Sequence, residues 1–245
     1  MPLMDKGTQH DEQASPIRQD SQRRSSTAAF MHGGWLPFIV VMLILAIDQI
    51  IKVEVKTHLC LYESIRITSW FHISFIENSG MAWGMTFINK LALSLFRIVA
   101  VAFIAYYVHL QVRAKAPAGY IVCLSMVLAG AAGNIIDSVF YGQIFTMSTP
   151  LRVSTIVNFG DGYAPLLMGK VVDMFYFPII RTTLPQWLPL WGGEPFVFFA
   201  PVFNFADACI TVGFALLLIF YRSRIAAITV RQPREDVETS DRQNA

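Results

Sequence analysis

Long apolar runs dominate this chain, and its polar residues collect at the two ends and in two intervening segments. Four runs stand out, about 34–53, 91–112, 119–141 and 196–221. Each reaches the ~20 residues that a helix needs to cross ~30 Å of hydrocarbon. The pattern predicts a polytopic α-helical membrane protein with four transmembrane helices and both termini on one side. The first run, GWLPFIVVMLILAIDQIIKV (Gly34–Val53), is too long for a signal-peptide core and no small-residue cleavage site follows it, so it reads as a helix that stays.

Between the runs lie two longer segments, 54–90 and 142–195. The first contains SIRITSWFHISFIEN, in which β-branched and aromatic residues recur at period two; strands forming a small sheet at the membrane surface are expected. The second mixes Pro, Gly and aromatic residues, and LPQWLPLWGG (Leu184–Gly193) carries two Trp suited to interfacial depth. Residues 1–32 have no apolar period and read as a disordered tail. Residues 222–245 form a second polar tail, so the membrane domain is expected over 33–221.

Charge decides the orientation. The two tails and the turn Arg113–Gly119 hold 11 of the 19 Lys and Arg residues, whereas the two longer connections hold six. Basic residues in short loops stay cytoplasmic. Both tails are therefore expected in the cytoplasm, with 54–90 and 142–195 extracytoplasmic. Overall, 54% of residues are hydrophobic and only 15% charged, against about 25% charged in soluble domains. A net charge of +2 gives no reason to expect nucleic acid. The three cysteines are scattered and the histidines lack ligand spacing, which argues against a disulfide framework, a metal site or any cofactor.

Against this topology the polar residues inside the runs become informative. Asp207 is the only charged residue between Phe196 and Tyr221, and an ionised Asp near mid-span costs about 2.5–3.5 kcal/mol on insertion scales. Pro201 suits a first helical turn, which would set Asp207 about 9 Å deep with Asn204 on the same face. Asp48 and Asp137 lie at the outer ends of the first and third runs, and Asn78 and Asp173 lie in the outward segments. All converge on one leaflet, where acids should face one another or water. Asp48 and Lys52 form an i,i+4 pair, expected to ease a helix through the interface. Asn134 and Asp137 share a face behind the small residues Ala129–Gly133, a packing seam whose polar end would brace the site. Asp173 is flanked by VV and MFYF, which favour burial.

Two carboxylates in a poorly hydrated site cannot both ionise easily, leaving one acid and one base. Such a pair can activate water against a peptide carbonyl without metal or covalent intermediate. A transporter would instead place acids near the midplane, often with inverted repeats, and no repeat is found. A membrane protein that binds lipoproteins without cutting them is the other alternative. The GxSG and GxGD signatures of other intramembrane proteases are missing; Asp161, in FGDGY, reads as a turn residue.

Five blocks in order, DQIIK (48–52), FIENSGMAWG (75–84), AGNIID with its lead-in (129–137), VVDMF (171–175) and FNFADACI (203–210), resemble bacterial lipoprotein signal peptidases, also called signal peptidase II. The resemblance implies an aspartic endopeptidase that cleaves prolipoproteins before a diacylglyceryl-modified cysteine. It assigns the catalytic pair to Asp173 and Asp207 and substrate positioning to Asn78, Asn134 and Asn204. Asp48, Lys52, Gly80 and Asp137 become supporting residues. It also implies a bacterial inner-membrane monomer among membrane lipids, with a small extracytoplasmic β-cradle at residues 62–77. Two departures stand out. Ser138 occupies a position where the family commonly has Arg, so that cation must be lost or supplied elsewhere, with Arg152 and Arg181 as candidates. The Asp137–Asp173 connection is also longer than usual, and 143–169 is expected to add a lid or surface sheet.

Overall fold

The computed structural model describes residues 34–80, 87–187, 189 and 191–224. The expected tail at 1–32, the 222–245 tail after Arg224 and the end of the FIENSGMAWG block lie outside them. Four helices are present among the described residues: α1 (Trp35–His58), α2 (Phe87–Arg113), α3 (Ala118–Ile136) and α4 (Phe205–Phe220). α3 carries on through a π-helical turn, Asp137–Tyr141, and a last turn at Gly142–Ile144. The first three are long and apolar enough to cross a membrane. α4 is apolar but has only 16 residues, about 24 Å against a hydrocarbon core of ~30 Å.

α1 shows how the sequence sorts its faces. Ile44, Asp48, Lys52 and Val55 recur at intervals of four, four and three, and form one buried stripe. Phe38, Ile39, Met42, Leu43 and Ile50 stay exposed on the other faces. Along this stripe the helix therefore turns Asp48 and Lys52 inward and leaves apolar surface outward, the arrangement that lipid favours. α1 also outruns its expected end at Val53, because Val55 and Leu59 still pack against Phe75, Val172 and Met174 of the sheet. α3 and α4 approach closely through small residues: a Cβ added at Gly130 would lie 2.3 Å from the Ala206 carbonyl oxygen.

The largest sheet has the order β1-β2-β3-β6, all antiparallel, from β1 (Ser64–Arg66), β2 (His72–Asn78), β3 (Val171–Tyr176) and β6 (Val202–Phe203). β1 and β2 match the expected strands. β3 was not expected, although VVDMFY has the β-branched and aromatic content of a strand. A separate hairpin pairs β4 (Ile180–Thr183) with β5 (Pro195–Phe198).

These strands correct the fourth run. Its helix starts at Phe205, not near Phe196, and Pro201 does not occupy its first turn. Phe196–Phe198 belong to β5, while Val202 and Phe203 pair with Tyr176 and Phe175. Their backbone groups are committed to ladders until Asn204.

The segment 143–169 holds no strand, so the surface-sheet expectation fails there. It is a closely tied loop with two isolated bridges, Phe145 to Ile156 and Thr149 to Arg152. Polar contacts fasten it. Buried Lys56 donates to Glu77 and to Ser148 Oγ, Ser148 donates to Glu77 Oε1 at 2.8 Å, and Lys170 Nζ donates to Glu77 Oε2 at 2.9 Å. Burial alone would push the Glu77 carboxyl up, but Lys56, Lys170 and Ser148 hold it below its ordinary range. On the other side, Ser94 Oγ of α2 donates to the Leu167 carbonyl at 2.9 Å. The segment's side chains thereby satisfy one another and the helices around them.

Candidate active site

The C-terminal parts of α1 and α3, the start of α4 and strand β3 meet at one end of the bundle. Asp173 lies on β3 and is 3% exposed. Pairing fixes its surroundings, with Ile76 of β2 opposite it and Phe203 of β6 opposite Phe175. β6 then hands the chain to Asn204, the N-cap of α4.

Asn204 and Asp207 cap the helix reciprocally. Asn204 Oδ1 accepts from the Asp207 amide at 2.9 Å, and Asp207 Oδ2 accepts from the Asn204 amide at 3.4 Å. Asp207 is thus in the first turn of α4, half-buried, rather than two turns deep. The positive end of the helix favours a carboxylate there. Asp48 Oδ1 takes another free donor of that turn, the Ala206 amide, at 2.9 Å.

The side-chain amides join the two acids. Asn204 Nδ2 donates to Asp173 Oδ1 at 2.7 Å and to Asn134 Oδ1 at 3.0 Å. Asn134 Nδ2 donates to Asp207 Oδ1 at 2.7 Å. Lys52 Nζ determines which way Asn134 faces. It donates to Asn134 Oδ1 at 3.0 Å and pairs with Asp48 at 2.9 Å and Asp137 at 2.8 Å. An ammonium has three donors and no acceptor, so the Asn134 atom it meets must be the carbonyl oxygen, and the NH2 group is left for Asp207.

Asp48 and Lys52 are therefore not an interfacial pair as expected. Both are fully buried, in a network under the site. Asp137 Oδ2 also accepts from the Val172 amide at 3.3 Å, next to Asp173 on β3. Asn78, at the end of β2, accepts from the Gly80 amide at 2.7 Å. Burial pushes the Asp173 carboxyl up and the charge of Asp207 pushes it further; the hydrogen bond from Asn204 and the polar side chain of Asn78 pull it back, to about 7. Among the described residues no cluster of His, Cys, Asp or Glu could hold a metal ion.

The family described as signal peptidase (SPase) II matches residues 40–222. The chain is 48% identical over 190 residues to a lipoprotein signal peptidase of Porphyromonas gingivalis, covering 77% of this chain and 84% of that one. It is 31% identical over 216 residues to a lipoprotein signal peptidase of Amoebophilus asiaticus, covering 84% of each. This chain belongs to the signal peptidase II family. Its fold also matches a solved structure described as a bacterial membrane enzyme, with a TM-score of 0.50, 20% identity and coverage of 80% of this chain and 94% of the other.

Within that family two features of this chain differ from expectation. Ser138, where Arg is common, supplies no cation and donates its hydroxyl to the Asn134 carbonyl at 3.0 Å. Among the described residues neither proposed substitute forms an ion pair with a carboxylate: Arg152 is exposed, and Arg181 lies over the Tyr176 ring, 5.9 Å from its centroid. Gln49 was missed altogether. Its Nε2 reaches Asp48 at 3.1 Å and Asp137 at 3.0 Å, and its Oε1 accepts from Tyr141 at 3.0 Å. A Gln inside an apolar run was the available signal, hidden by the charged residue beside it.

Proposed function

We propose that this chain, a bacterial membrane peptidase that removes signal peptides from prolipoproteins, is of the aspartic type and cuts with Asp173 and Asp207 as a pair. The observation that carries this reading is the amide chain Asp173–Asn204–Asn134–Asp207, which ties two acids from distant parts of the sequence into one polar cluster.

The environments of the acids suit a division of roles. Asp173, held to about pH 7 by burial and by its neighbour's charge, keeps a proton near neutrality and serves as the acid. Asp207, at a helix N-terminus and receiving Asn134, serves as the base. Asp207 takes a proton from water as the water oxygen bonds to the scissile carbonyl carbon. The tetrahedral oxyanion then reforms its carbonyl, the C–N bond breaks, and Asp173 gives its proton to the leaving nitrogen. Transfer of the proton from Asp207 to Asp173 restores the starting state. Asn204 has both amide hydrogens engaged, so its part is to hold the carboxyls. Asn78 and the second amide hydrogen of Asn134 are the groups that can position the peptide or meet the oxyanion.

The substrate in this reading is a prolipoprotein cut before its diacylglyceryl-modified cysteine, in contact with lipid and with no cofactor. α4 completes a four-helix domain over 33–221, working as a monomer. Both tails are cytoplasmic, and the sheet end with the acids is extracytoplasmic. The test is cleavage of a diacylglyceryl-cysteine peptide by purified wild type, Asp173→Asn and Asp207→Asn. Both variants should stay folded and lose at least about a thousandfold in rate. Unchanged cleavage in either one removes that residue from the mechanism.

A further inference from the structure

The proposed mechanism leaves the Arg97 side chain unused. Arg97 lies about two turns inside the spanning part of α2 and is half-buried. Charged groups at such positions face a partner or a watery site. Among the described residues Arg97 forms no ion pair with a carboxylate. Its guanidinium instead lies against the turn that follows Asn78. A Cβ built on Gly80 would stand 2.9 Å from Arg97 Nη2 and 3.2 Å from Nη1. Gly80 has φ +69° and its amide is bound to Asn78 Oδ1, so the backbone is bent toward the arginine with no side chain between them. Ser94, one turn earlier, is fixed to the Leu167 carbonyl, which anchors this face of α2 toward the site.

We infer that Arg97 is a substrate-binding residue that donates to backbone carbonyls of the extended prolipoprotein segment. This rests on the proposed reading of the Asp173–Asp207 pair. A guanidinium offers five N–H donors and no acceptor, which suits a row of carbonyl oxygens. An extended chain advances about 3.3 Å per residue. A peptide with its scissile bond at Asp173 therefore reaches the Asn78–Gly80 turn, and Arg97 behind it, within a few residues. Gly80 keeps that approach open, and Ser138 contributes no competing charge.

The experiment uses the full chain in lipid nanodiscs and a fluorescent diacylglyceryl-cysteine peptide. Binding is measured in an Asp173→Asn background, and turnover in the otherwise wild-type enzyme. Arg97→Gln should weaken binding and raise KM by about 10- to 100-fold, the worth of a charge-assisted hydrogen bond, with kcat held within about threefold. Arg97→Lys, which keeps the charge but loses the planar fork, should fall between the two and decides the matter if the Gln variant does not fold. Equal affinity in wild-type and Arg97→Lys or Arg97→Gln proteins overturns the inference. A loss confined to kcat also overturns it, since that would make Arg97 only a brace for the Asn78 turn. If the Asp173→Asn protein with Arg97 intact fails to bind the peptide, the substrate reading itself falls, and this inference with it.

Discussion

Replacing Asp173 by Asn should abolish cleavage and yet make the protein more stable at alkaline pH. The carboxyl is almost wholly buried on β3, and its pKa is raised from 3.8 to about 7, first by burial and then by the charge of Asp207. The folded protein therefore keeps a proton that the unfolded chain gives up at lower pH. Between about pH 4 and pH 7 the folded state binds more protons, so stability falls as pH rises through that window. A shift of about three units corresponds to an upper bound of about 4 kcal/mol at pH 8. Asn stays neutral at every pH, and its Oδ1 can still accept from Asn204. The variant should gain about 1–4 kcal/mol at pH 8 and nothing at pH 4. Thermal unfolding in nanodiscs at the two pH values measures this, as a rise of several degrees at pH 8 alone. A variant no more stable than wild type at pH 8 would show that the site welcomes the charge, and the acid role given to Asp173 would go with it.

The same proton sets the activity profile. If Asp173 must enter the cycle protonated, kcat should decline as pH rises through about 7, which a pH-rate series checks; a rate that keeps climbing to pH 9 contradicts it. Lys52→Met leaves Asp48 and Asp137 buried without their cation, and should lower stability by about 3–5 kcal/mol, read from thermal unfolding. Asn204→Ala removes the helix cap and both amide bridges. It should cost about 1–2 kcal/mol of stability and lower kcat by about 10²–10³, in paired unfolding and cleavage assays. Gly130→Ala drives a methyl against the Ala206 carbonyl of α4, and overpacking of this kind should destabilise by about 1–3 kcal/mol in the same unfolding assay.

Much of this protein is legible along the chain because its determinants are local. The spans of α1, α2 and α3 follow from continuous apolar length, and α1 outran its expected end where Val55 and Leu59 pack against the sheet. Asp207 declared itself as a lone charge in an apolar run, with Asn204 three residues before it. The alternation of 64–78 announced β1 and β2. What could not be read were properties created by pairing across the sequence. α4 starts at Phe205 because β6 is bound to β3, a partner about 27 residues away, and no local preference at Pro201 reveals that. Asp48 and Lys52 look like an interfacial pair until α3 brings Asn134 and Asp137 onto the same ammonium. The meeting of Arg97 with Gly80 likewise depends on how α2 lies against the end of β2.

Hydropathy thus determined which segments are apolar enough to enter lipid and which polar residues stand out within them, because transfer from water depends on each segment's own composition. Only the tertiary structure decided which acids share amides, how buried each one is and which side chains surround the Lys52 ammonium. Those properties arise from hydrogen bonds and exclusion of water between groups far apart in the chain, and they exist only once strands and helices have closed around them.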